Sequence, residues 1–152
     1  MVIIISTRNK IGVDIIMGQL NNVQKPQQLI RGGIYIVNLP NNGGSIQHST
    51  RPCVLISNNT CNRFSPVLHV CPISSQTLSK SKLPTHIPMS KNNCGLIRDS
   101  IALCEQTMLV NKDVINMDQV GFCDEETLLR ISRGVAIQFG LVDLRNNVAY
   151  AN

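Results

Sequence analysis

Between Arg31 and Val110 the chain never stays apolar for long: short aliphatic and β-branched runs are cut off by clusters of Pro, Asn, Gly and Ser. Runs of that length suit strands and are too short for stable helices. Gly33 to Leu39, Pro52 to Ser57 and Val67 to Ile73 read as three strands. Pro40 to Thr50 (PNNGGSIQHST) and Asn58 to Pro66 read as loops between them, on their turn-forming residues. A polar stretch, Ser74 to Lys82, leads into Leu83 to Met89; the Asn92-Asn93-Cys94-Gly95 turn then precedes one long strand, Ser100 to Val110. Short strands joined by turn-rich loops imply a small antiparallel barrel or a strongly curved sheet.

The two ends read differently. Asp124 can cap a helix with Glu125 and Glu126 in its first turn, and Leu128, Ile131, Val135 and Phe139 mark an apolar face, with Arg130 and Arg133 off it. Residues 1–30 form an extension. Val2 to Ile5 suits a short strand, and Ile11, Ile15 and Leu20 have rough helical spacing broken by Gly12 and Gly18. A polar linker, Asn21 to Gln28, follows. The expected organisation is an extension over 1–30, one domain over 31–145 and a tail over 146–152. The fold class is α+β, mainly β, with a C-terminal helix packed on the sheet.

Composition narrows function. Aromatic residues are 3% of the chain and Trp is missing, so recognition of single strands by stacked rings is disfavoured. The net charge of +5 is unevenly placed. No acidic residue lies between Asp14 and Asp99, a stretch that holds eight Lys or Arg and all three His. From Asp99 onward eight acids face four bases. A surface built from the first stretch is positive and free of repelling carboxylates, as a phosphate-binding groove requires. The six cysteines show no CxxC pair and no His at metal-ligand spacing, which argues against zinc, and Cys53, Cys71 and Cys104 sit in apolar runs as small hydrophobes. Val2 to Ile5 is too short for a signal peptide's apolar region or a membrane span, so a cytoplasmic protein with reduced thiols and no membrane association is expected.

No Walker loop, GxGxxG, HExxH or GxSxG is present, and the acid-free stretch offers no paired carboxylates for two-metal chemistry. A chain like this that cuts nucleic acid does so without a cofactor or metal, through Arg, His and hydroxyl groups. That chemistry is natural for RNA, whose 2′-OH attacks the adjacent phosphate. The Gly-rich loop before Arg51 can approach a ligand closely, and Arg51 can clamp a phosphate with two hydrogen bonds. At the end of the third strand, Ser74 and Ser75 can donate to a phosphate and Gln76 can read a base edge. The plainer roles, a surface ion-pair partner and a polar strand end, stay open for both groups.

Together these pieces resemble the MazF/PemK toxins. Arg31-Gly32-Gly33-Ile34-Tyr35 is similar to the family's RGD-[IV]-[WY] opening, with Gly33 where an acid is usual. Arg51-Pro52-Cys53-Val54-Leu55-Ile56-Ser57-Asn58 is similar to RPVLVIQN. Asn62-Arg63-Phe64-Ser65-Pro66, Pro72-Ile73-Ser74-Ser75 and Leu83-Pro84-Thr85-His86 follow in order. Gly95 to Ser100, with Glu105-Gln106 downstream, is similar to G-x-x-[RK]-[DS]-S…EQ, so the resemblance spans about residues 31–142. It implies an SH3-like curved sheet, a homodimer and an endoribonuclease that cuts single-stranded RNA, leaving a 2′,3′-cyclic phosphate and a 5′-hydroxyl. It also implies a cognate antitoxin whose acidic tail lies across the basic groove.

The resemblance places the catalytic Arg at Arg51 and the catalytic hydroxyl at Ser74, with Arg51 stabilising the phosphorane. Ser45, Gln47, Asn58, Arg63, Ser75, Gln76 and His86 fall near the RNA-contacting loops. The loop departs from its relatives at Ile46, in place of an acid, and at His48, in place of a Gly. His48 stands three residues before Arg51 and places an imidazole there, a group suited to general acid or base work that an arginine performs poorly. Two other readings share the fold: a binding toxin resembling the CcdB gyrase poisons, for which the Arg51 loop is dispensable, and a catalytically silent homologue that acts by protein binding.

Overall fold

A computed structural model describes residues 28–75 and 83–144, together with the backbone of 148 and 149. The strand and helical spacing expected within residues 1–27 lie outside the described residues, as does Gln76. Among the described residues nine strands and three helices follow in order: β1 (Gly33–Leu39), β2 (Ser49–Leu55), α1 (Asn59–Phe64), β3 (Val67–Ser74), β4 (His86–Met89), α2 (Lys91–Cys94), β5 (Ser100–Leu103), β6 (Met108–Asn111), β7 (Ile115–Phe122), α3 (Glu125–Gln138), β8 (Val142–Asp143) and β9 (Val148–Ala149). Seven of the strands form one open antiparallel sheet in the order β4-β5-β3-β2-β1-β7, with β6 also pairing with β3. Among the described residues no helix is long and apolar enough to cross a membrane.

The sheet is apolar on both faces, so β1 is buried along most of its length. Ile34, Val54, Cys71, Ile73 and Ala102 pack on one face with Ile131 of α3. Tyr35, Val37, Cys53, Leu55, Leu68 and Val70 pack on the other with Val110 and Ile115. Cys53, Cys71 and Cys104 are buried free thiols within these clusters, as small hydrophobes would be. Leu29 is buried in the second cluster and Tyr35 Oη accepts from Ile30 N at 3.0 Å, so the packed body begins before Arg31. At the other end β9 pairs with β8, giving the expected tail a short ladder.

Several sequence expectations change. The long strand Ser100–Val110 is two strands, because a 3-10 turn at Cys104–Gln106 breaks it. Both halves still pair with β3: β5 beside Ile73 and Ser74, β6 beside Val67 to Val70. The expected loop Asn58–Pro66 holds α1, since Asn58 caps the helix by accepting from Cys61 N at 2.9 Å. The Asn92–Gly95 turn is largely the single helical turn α2, capped by Ser90. Strand β2 begins at Ser49, before the expected Pro52, because its ladder with β1 extends to the Leu39–Ser49 pair; Arg51 therefore lies inside a strand. Strand β7 is largely exposed and its apolar alternation breaks between Met117 and Val120, which left it invisible to an apolar pattern.

Helix α3 follows expectation at its start, where Asp124 accepts from Thr127 N at 2.7 Å. Ile131 is fully buried, Leu128 and Val135 pack against the same cluster, and Arg130 and Arg133 are exposed. Phe139 does not belong to the buried face: it is 64% exposed, because it lies at the C-cap beyond the last turn that meets the sheet.

Candidate functional site

The antiparallel β2–β3 ladder pairs Leu55 with Val70, Val54 with Cys71 and Cys53 with Pro72. Continued two residues further, that register sets Arg51 across from Ser74. Both residues, with Pro52, Ile73 and Ser75, line a cleft of about 600 Å³. Gln47 from the β1–β2 loop lines it as well, and so do Leu96, Ile97 and Arg98 from the segment between α2 and β5. None of the described residues lining the cleft is an Asp, Glu, His or Cys. Two guanidiniums and several hydroxyls and amides are therefore the polar equipment, a set suited to a phosphodiester and poor in ligands for a divalent cation.

Arg51 is half-buried and held from its own loop. Its Nε donates to the His48 carbonyl at 2.9 Å and its Nη1 donates to Gln47 Oε1. Two contacts on one guanidinium fix its plane and leave other N–H groups for a ligand. Beneath it, burial pushes the Cys53 thiol up to about 12 against the pull of the Arg51 charge, so Cys53 stays a neutral thiol.

The sequence-derived site residues separate into those at the cleft and those away from it. Arg51, Ser74, Ser75 and Gln47 come together. His48 lines a different cleft with Asn38, Asn41 and Asn111, and its carbonyl accepts from Arg51. Ser45 is exposed, with its carbonyl accepting from Gln106 Nε2 at 3.2 Å. Asn58 is the cap of α1, and Arg63 lies over the Phe64 ring at 5.0 Å. His86 Nε2 meets Glu105 Oε1 at 2.9 Å, a half-buried pair.

Arg98 and Ile97 were not singled out from the sequence as site residues, although the Gly95–Ser100 motif contained the signal. Asp99 Oδ1 accepts from Lys91 N at 2.9 Å and Ser100 Oγ donates to the Arg98 carbonyl at 3.0 Å, so both neighbours brace the segment that carries Arg98. Gly33, the departure from the usual acid, is explained by close approach. A Cβ there would lie 2.6 Å from Tyr35 Cε2 and 2.9 Å from the Ile30 carbonyl oxygen. Arg31 is tied away from the cleft, with Nη1 donating to the Ile56 carbonyl and Nη2 to Ser132 Oγ at 2.8 Å.

A family model described as PemK-like, MazF-like toxin of type II toxin–antitoxin system matches residues 30–139. Endoribonuclease EndoA of Bacillus subtilis (strain 168) is 34% identical over 113 residues, covering 74% of this chain and 96% of that protein. Endoribonuclease MazF of Staphylococcus saprophyticus is 30% identical over 119 residues, covering 78% and 98%. In shape, the crystal structure of MazF from Deinococcus radiodurans aligns with a TM-score of 0.64 at 16% identity, over 74% of this chain and 97% of that one. An endoribonuclease from a mycobacterial species, solved with its cognate antitoxin, aligns with a TM-score of 0.56 at 18% identity, over 74% and 94%. These two structures speak for the fold alone.

Proposed function

This chain belongs to the PemK-like, MazF-like toxins of type II toxin–antitoxin systems, and we propose that its endoribonuclease reaction takes place in the cleft between Arg51 and Ser74. The substrate is single-stranded RNA. The carrying observation is that Arg51 and Ser74, distant in sequence, line one cleft whose described lining holds no carboxylate.

In this reading the 2′-oxygen of the nucleotide before the cut attacks phosphorus and the bond to the 5′-oxygen breaks. The products are a 2′,3′-cyclic phosphate and a 5′-hydroxyl. Arg51 donates to the phosphorane oxygens as their charge grows, held in plane by the His48 carbonyl and Gln47. Ser74 donates to a non-bridging oxygen, and Arg98 binds a flanking phosphate. No metal enters this scheme: the attacking group belongs to the substrate and the charge is met by guanidinium. The proton leaving the 2′-hydroxyl goes to water and the departing 5′-oxygen takes one from water, as no described side chain lining the cleft is of a type that titrates near neutrality. His48 serves through its carbonyl, so His48→Ala leaves the shape of the pH–rate profile unchanged. A lost inflection near neutrality would restore its imidazole to the reaction.

As a toxin of a type II system its partner is a cognate antitoxin. An acidic tail on that partner suits by charge a cleft whose described lining holds Arg51 and Arg98 and no carboxylate. We place the active toxin, as a homodimer, in the cytoplasm. The testing experiment is digestion of long single-stranded RNA by the purified chain in EDTA, beside Arg51→Ala. Discrete fragments with cyclic-phosphate ends, missing in the variant, support the reading. RNA left intact by a folded, antitoxin-free protein overturns it and leaves a binding role.

A further inference from the structure

We propose that Gln106 is a positioning residue of this endoribonuclease, holding the β1–β2 loop so that Arg51 points at the phosphate; the inference rests on the function proposed above. The Glu105-Gln106 pair stood out in the sequence without a role. In the fold, Gln106 Oε1 accepts from Gln47 N at 2.7 Å, and its Nε2 donates to the Ser45 carbonyl at 3.2 Å. One side-chain amide therefore grips the loop on both sides of Ile46. Gln47 and His48, the next residues along, are the two that hold the Arg51 guanidinium.

The loop needs such a grip. Gly43 and Gly44 have φ of 75° and 64°, and a Cβ built on either would meet nothing within 4 Å. Ile46 is exposed, so packing does little to fix this segment. Two successive open glycines give the loop freedom to swing, and hydrogen bonds from a firm neighbour must set its place.

Gln106 stands on such a neighbour. The 3-10 turn that carries it is fastened to β4 and α3: Cys104 N donates to the Thr85 carbonyl at 3.0 Å and Cys104 Sγ to the Ile131 carbonyl at 3.6 Å. Glu105 meets His86 at 2.9 Å, and Thr107 Oγ1 donates to the Cys104 carbonyl at 2.9 Å. The turn, anchored by the buried Cys104, is thus the rigid support, Gln106 the reach, and the loop the part that is aimed. A guanidinium displaced by about 1 Å loses rate rather than affinity when its contacts form chiefly in the transition state.

The test compares the full-length chain with Gln106→Leu, which removes both bonds, and Gln106→Glu, which keeps an acceptor for Gln47 N and loses the donor to Ser45. The probes are a single-stranded RNA oligonucleotide carrying the cut site that the native chain selects, and the same oligonucleotide with a 2′-deoxy residue at that site. Expected for Gln106→Leu is a fall in kcat of about tenfold to a hundredfold. Its melting temperature and its affinity for the 2′-deoxy strand stay at native values. Gln106→Glu falls between the two. In an Arg51→Lys background the further effect of Gln106→Leu shrinks severalfold, since the group being aimed is gone. Unchanged kcat in both variants overturns the proposal, and so does weakened binding of the deoxy strand with kcat intact, which makes Gln106 an RNA contact. If the native chain itself cuts no RNA, the underlying function falls and this inference with it.

Discussion

On one side of the cleft, Arg51 and Ser74 stand on neighbouring strands whose adjoining residues, Cys53 and Ile73, are buried in the two apolar clusters. On the other side, Arg98 and Ile97 stand on a braced loop, and Ile97 is 94% exposed. The first wall inherits its geometry from a ladder; the second owes it to a few polar contacts. Reaction chemistry needs atoms fixed to a fraction of an ångström, which a paired strand supplies, whereas choice among RNA sequences needs a surface that can vary without loss of the fold.

Removing the ladder wall's charge has the largest expected effect. Arg51→Ala lowers kcat about a thousandfold or more, as a lost transition-state donor does, with thermal stability near native. A single-turnover rate within tenfold of native would place the chemistry elsewhere. Next comes the joint between the two walls. Gly121 of β7 lies against the last residue of α2, and an added Cβ would sit 2.3 Å from the Cys94 carbonyl oxygen, backbone that cannot step aside. Gly121→Ala is expected to cost about 1–3 kcal/mol in urea unfolding, and to disturb the Arg98 segment before the Arg51 wall. A neutral outcome would show the two walls to be less coupled than the packing implies.

Changes on the loop wall are smaller. Ile97→Ala should move stability by less than about 0.5 kcal/mol while altering KM or cut-site preference severalfold, read by sequencing the fragments. Equal kinetics on all sites would remove Ile97 from recognition. The smallest effect lies far from the cleft. Hydrogen bonds from Thr127 hold the Asp124 carboxyl below its ordinary value of 3.8. A depressed carboxyl contributes stability above pH 3.8 that is lost as pH falls through its folded-state pKa. Asp124→Asn, which keeps a capping acceptor, should flatten that part of the acid unfolding curve, and an unchanged curve would show the cap to be indifferent to charge.

The same contrast governs what the sequence made legible. Strand β1 was readable to the residue and β3 nearly so, because apolar runs bounded by turn residues need only local pattern. Strand β7 was not, since INMDQVGF is held by its pairing with β1, a partner far away in sequence. The break at Cys104–Gln106 was hidden because Cys104, buried against α3, reads as one more apolar strand residue. At the site, Arg51 and Ser74 were recoverable from ordered motifs. That His48 lines another cleft, and that Gln106 reaches the β1–β2 loop, depend on the course of the loop in space, which residue spacing does not encode.

The lack of carboxylates among the described residues lining the cleft has a consequence for how tightly RNA is held at different ionic strengths. In the proposed reaction each phosphate held by Arg51 or Arg98 would release condensed counterions, and for single strands the logarithm of the binding constant falls by about 0.7 per phosphate for each decade of salt. Two such phosphates give a slope of about −1.4, a modest dependence. With no fixed negative charge on the described lining to be screened, added salt only weakens the complex. RNA binding should therefore fall steadily with salt and show no optimum at intermediate concentration.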